Sequence, residues 1–134
     1  MREIWNFIQI CISAAGAFFG WFLGGNDGFF YALIAFVIID YITGVINALL
    51  LKSLSSEIGF KGICKKALIF ALVGIANFID LFVLKEGCVL RTAIIFFYIA
   101  NEGISILENV SKIGLPIPQK LKDVLAQINK RSEE

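Results

Sequence analysis

Apolar residues fall in four long runs, 4–23, 29–51, 67–84 and 89–107, and within each run they cover every side rather than one stripe. A helix needs about 20 mostly apolar residues to cross the hydrocarbon core of a bilayer. Barrel strands would alternate apolar and polar positions over roughly ten residues, which these runs do not do. The pattern predicts an all-α membrane protein with four transmembrane helices. Gly24-Gly25-Asn26-Asp27-Gly28 is a turn signal between the first two runs. The stretch 52–66, with Ser53, Ser55, Ser56, Gly59 and Gly62, reads as a longer polar connection, and Lys85-Glu86-Gly87 as a tight hairpin. Gly114 through Pro118 ends the fourth helix. Beyond it, Leu121, Val124, Leu125 and Ile128 recur at i, i+3, i+4 and i+7. That spacing predicts a short amphipathic helix over 119–130, opened by Pro118, resting on the inner leaflet or against a neighbouring subunit.

Composition agrees. Hydrophobic residues make up 58% of the 134 and charged ones only 17%, against about a quarter charged in soluble domains. There is room for one membrane domain, 1–134, with a cytoplasmic tail from 108. Lys and Arg fix its orientation. With both termini and the middle connection in the cytoplasm, ten of the twelve basic residues lie inside; the reverse leaves two. Ala15-Gly16-Ala17 fits a signal-peptidase site, but Asn6 and Gln9 interrupt the apolar stretch before it and Phe18–Leu23 continue beyond it, so the first segment is expected to stay. An alternative has three spans, with the first segment lying in the interface, where Trp5, Asn6 and Gln9 would suit.

The chemistry expected of an enzyme is missing from the sequence. There is no His, the commonest general base and metal ligand. Cys11, Cys64 and Cys88 form no CxxC pair and read as small apolar fillers. No cofactor, metal or nucleic-acid partner is expected; the partners are the lipid bilayer and further copies of the chain.

Polar groups inside the apolar runs are the candidate functional residues, because they are costly in lipid and are kept where they face helices or water. On the second span Asp40, Gly44, Asn47 and Ala48 share a stripe, with Thr43 beside it; a protonated Asp40 could donate to a facing Asn or carbonyl. The third carries Asn77 and Asp80, and the fourth Tyr98, Asn101, Glu102, Ser105 and Asn109 along one face. These faces are expected to meet at a subunit contact, to line an aqueous path, or to satisfy one another within one bundle. Arg91, one hairpin after Asp80, would either neutralise it or snorkel to the outer interface. Gly16, Gly20 and Gly24 recur every four residues in the first segment, a spacing that lets helix backbones approach closely within one subunit or between two.

Asp40-Tyr41-Ile42-Thr43-Gly44, then Lys52 to Ser56, Gly59-Phe60-Lys61-Gly62 and Lys65-Lys66, together with Ile79-Asp80, Arg91, Asn101-Glu102, Ser105-Ile106, Glu108-Asn109 and Gly114 to Pro118, resemble the toxin-secretion/phage-lysis holin family over roughly 35–125. The resemblance implies a multi-pass protein of the bacterial inner membrane. Such proteins associate into lesions that let an endolysin reach the cell wall or a large toxin leave. It implies no catalytic residues. Asp40, Thr43, Gly44, Asp80, Asn101 and Glu102 become candidates for assembly, in a protein whose polar faces pair dry in one arrangement and face a common lumen in another. Met1 is the sole methionine, so any antiholin would be a separate protein or a product of a non-Met start. Two other classes compete: a small proton-coupled exporter, although its key Glu would be expected in the first span, and a membrane scaffold that transports nothing.

Overall fold

The computed structural model describes residues 1–133; Glu134, the end of the expected tail, lies outside them. They form five helices: α1 Arg2–Leu23, α2 Gly28–Leu50, α3 Ser56–Phe78 continuing as a π-helical segment Ile79–Leu84, α4 Val89–Ile113 and α5 Gln119–Glu133. No strand occurs among the described residues. Four helical stretches are long and apolar enough to cross a membrane, α3 with its π-helical end counting as one of 29 residues.

Turn chemistry places the helix ends. Gly24 stops α1 in the left-handed conformation, φ 89°, which glycine adopts without steric cost. Asp27 opens α2, its carboxylate accepting from the Phe30 amide at 2.8 Å. Ser55 opens α3 in the same way, its hydroxyl accepting from the Ile58 amide at 3.2 Å. The expected polar connection 52–66 is therefore helical from Ser56 onward. A Ser N-cap followed by Glu57 in the first turn is a helix start, and the charges of 61–66 ride on α3 rather than in a loop.

The core lies between α2, α3 and α4, where Phe30, Leu33 and Val37 meet Ile69 and Val73 and Ile95 and Ile99. α1 stands apart. It has no buried residue and touches the rest through its last turns, where Phe22 lies over Gly74 and Trp21 and Phe22 both set their rings edge-on to Phe78 with centroids 5.3 Å away. A Cβ at Gly16 or Gly20 would meet nothing, so these two glycines do not pack within the subunit. All three cysteines are free and exposed rather than core fillers. α5 folds back along α4, with Leu125 buried in a notch at Gly103.

Candidate functional site

The polar groups of the spans gather into two clusters. The first joins α1 to the opposite hairpin. Asn77 donates to the carbonyls of Trp21 and Phe22, at 3.3 and 3.1 Å, where α1 ends; the first of them also accepts the Gly24 amide. Asp80, 1% exposed, accepts the backbone N–H groups of Leu90 and Arg91 at 3.0 and 2.8 Å. It thus caps α4 from another helix, where Cys88 supplies no cap. Its place in the wider π-helical turns, a feature often found where a side chain must be re-aimed, brings it there.

Arg91 does neither thing the sequence suggested. Its guanidinium is buried and pairs with Asp27 at 2.7 Å, donates to the carbonyls of Leu23 and Gly25, and lies 5.7 Å from the centre of the Phe30 ring. Asp80 takes its backbone amide, not its charge. Gly24 is required at this junction, since a Cβ there would fall 2.5 Å from Arg91 Nε and 2.6 Å from Asn77 Oδ1. The Phe30 amide and the Arg91 guanidinium hold the Asp27 carboxyl below the usual carboxylate range.

The second cluster lies between α2, α3 and α4. Lys66 Nζ forms ion pairs with both Asp40 and Glu102. The acids are 7% and 4% exposed. Asp40 accepts a further bond from Asn109 Nδ2 at 3.0 Å, and Asn109 also donates to Thr43 Oγ1 at 3.0 Å. Asp40 therefore accepts from Lys66 and Asn109, with Asn109 as the facing amide on α4. A cavity of about 240 Å³ opens onto it, lined by Gly44, Lys66, Ser105 and Asn109 among others. Tyr41 closes one side, donating to the Gly59 carbonyl at 3.4 Å with its ring against Gly62. No buried polar side-chain atom among the described residues lacks a partner.

Not every predicted residue joins these clusters. Asn101 is exposed, and Asn47, on the same stripe of α2 as Asp40, is half-buried. The sequence reading missed Lys66, Asn109's partnership with Asp40, and Asp27. Lys66 was legible in principle: once Ser55 is read as a helix cap, Lys66 falls on a helix rather than in a connection.

The sequence of this chain matches the model of the bacteriophage holin family over residues 17–130. The chain belongs to the bacteriophage holin family. Among its relatives, an uncharacterized 14.9 kDa protein in the nagH 3′ region of Clostridium perfringens is 43% identical over 98% of this chain and 99% of its own length. An uncharacterized protein of Listeria monocytogenes is 44% identical over 95% of this chain and 90% of its own length. A protein of Bacillus phage phi105 named probable holin is 40% identical over 84% of this chain and 83% of its own length. No solved structure matches. Family membership and four apolar helices make this a multi-pass membrane protein of the holin class.

Proposed function

We propose that the chain acts as a holin in a bacterial inner membrane. In this reading α1 to α4 each cross the bilayer. Both termini and the α2–α3 connection are cytoplasmic, the orientation that puts nine of the twelve basic residues on that side, with Lys66 paired inside the bundle. Copies accumulate and assemble into lesions wide enough for a folded cell-wall hydrolase or a large toxin. A separate antiholin would restrain them.

The observation that carries the reading is the ionic triad Asp40–Lys66–Glu102, buried inside a span bundle of a chain that matches the holin family over most of its length. Removing one partner from a buried ion pair costs about 3–5 kcal/mol, so the triad fixes α2, α3 and α4 as one unit that can move and assemble as a body. A charge crossing the whole potential exchanges about 2.3 kcal/mol per 100 mV. Collapse of the potential can therefore tip a balance of a few kcal/mol between dispersed and assembled subunits. Asn101 and the small-residue face of Gly16 and Gly20, both turned outward, are the candidates for contacts between copies.

Inducible expression in bacteria tests this. The expected result is loss of membrane potential followed by escape of a folded cytoplasmic reporter enzyme. Passage of small cations alone would make the protein an exporter, and a cell that keeps both its potential and its reporter would make it a scaffold.

A further inference from the structure

Lys66 is not exhausted by the triad. An ammonium carries three N–H donors, and two of them go to Asp40 and Glu102. No other acceptor among the described residues takes the third, and Lys66 lines the cavity of about 240 Å³ between α2, α3 and α4. Two more polar groups on that lining are free. The Ser105 hydroxyl bonds to nothing among the described residues, and Asn109 spends its amide nitrogen on Asp40 and Thr43 while its carbonyl oxygen receives no donor. One end of the cavity thus offers a donor, an acceptor and a hydroxyl that can be either.

The other end is apolar. Asp40, Lys66, Ser105 and Asn109 surround the triad, whereas Val45, Ala48, Leu54 and Ile58 line the cavity toward the α2–α3 connection. From Asp40 to Ala48 the helix rises about 12 Å. Glycines make the space: α3 presents Gly59 and Gly62, against which Tyr41 lies, and α2 presents Gly44.

Charge at the polar end selects the head of a ligand. An anion set against Lys66 would also stand against Asp40, and a cation set against Asp40 would also stand against Lys66. A charged head of either sign therefore meets a like charge, and the opposite charge is already paired. A hydroxyl accepts from Lys66 and donates to Asn109 without that conflict. Volume sets the body. A cavity of about 150 Å³ accepts benzene, so one of about 240 Å³ holds a hydroxyl and a chain of about six carbons.

We propose that this cavity binds an uncharged amphiphile, with its hydroxyl head at Lys66, Ser105 and Asn109 and its apolar chain along Val45, Ala48, Leu54 and Ile58. The site is complete within one subunit and does not depend on assembly. A free alkanol supplies this chemistry, and so does the glycerol hydroxyl of a lipid whose chain continues out of the cavity.

The experiment uses the full chain in phosphatidylcholine vesicles and a hexanol carrying a photoactivatable diazirine on its chain. After illumination, proteolysis and mass spectrometry locate the label. Adducts are expected on Val45, Ala48, Leu54 or Ile58, and they should be displaced by excess hexanol in the water or by monoacylglycerol in the bilayer. Displacement by hexanol alone makes a free alkanol the ligand, and displacement by monoacylglycerol makes it a lipid. Analogues with an ammonium or a carboxylate in place of the hydroxyl should label these residues at least about tenfold less. Ser105→Ala should raise the hexanol concentration for half-displacement about fivefold, as loss of one hydrogen bond does. Ala48→Phe, which fills the apolar end, should abolish the label. Gly44→Ala should lower it even where Ala48→Phe fails to fold, because a Cβ at Gly44 would meet only Asn109 Nδ2, at an ordinary 3.6 Å. Label that neither competitor displaces overturns the site, as does label confined to exposed residues such as Ile75 and Phe82. Equal labelling by the charged analogues, or by a diazirine alkane with no head, overturns it too.

Discussion

At the scale of single residues, Lys66 is the group on which the span interior depends. It answers two carboxylates that pair with no other cation among the described residues. Lys66→Met should lower unfolding free energy in detergent by about 3–5 kcal/mol, since it strands two buried acids. Adding Asp40→Asn and Glu102→Gln should recover most of that loss. A triple variant no more stable than the single one, in denaturant unfolding, would show that the charges are not what holds the helices. Asp27 makes a different prediction. The Phe30 amide and the Arg91 guanidinium hold its carboxyl below its ordinary value in the folded protein. Its contribution is thus fully present above its unfolded pKa and lost as pH falls through the lower folded value. The melting temperature of the wild type should fall on acidification across that interval more steeply than that of Asp27→Asn, measured side by side in the same detergent.

At the scale of elements, each helix is held by a different device. α2, α3 and α4 share the apolar core and the triad, whereas α1 hangs on Phe22, Asn77 and the Arg91 network at one end. Gly74 makes that possible, because a Cβ there would overlap the Phe22 ring. Gly74→Leu should therefore release α1 while leaving the three-helix core folded. With Trp5 changed to Phe, the emission of Trp21, now parted from Phe78, should shift, while cooperative unfolding of α2–α4 persists. An unchanged emission would mean that α1 is held by something other than this contact.

At the scale of the whole molecule, the exposed side of α1 has no use within one subunit. Its Gly16 position is open to space, and such small residues matter in lipid where a second backbone comes close. Gly16→Ile should reduce the multimers captured by chemical cross-linking in membranes and delay lysis. It should leave subunit stability within about 0.5 kcal/mol, as expected for a surface change away from packed features. Equal loss of stability and assembly would place Gly16 in the subunit's own packing instead.

Hydrophobic patterning by itself determined the class: four apolar helices, their approximate limits, and acids and amides that oil would not tolerate unpaired. Order of motifs gave the family, because spacing survives in sequence. Local chemistry also held more than was taken from it, since Ser55 announces a helix that makes Lys66 part of a span. Pairing was decided only by tertiary structure. Which donor meets which acid depends on helix rotation and on offsets of up to 69 residues along the chain, as between Asn109 and Asp40, and no periodicity encodes them. Arg91 could be assigned to Asp80 by proximity in sequence, yet its guanidinium found Asp27 because the α1–α2 turn folds over the start of α4. Likewise the stripe on α5 predicted an apolar contact with the inner leaflet or a neighbouring subunit, not with α4 of the same chain. The notch at Gly103, a missing side chain on another helix of the same subunit, set the partner.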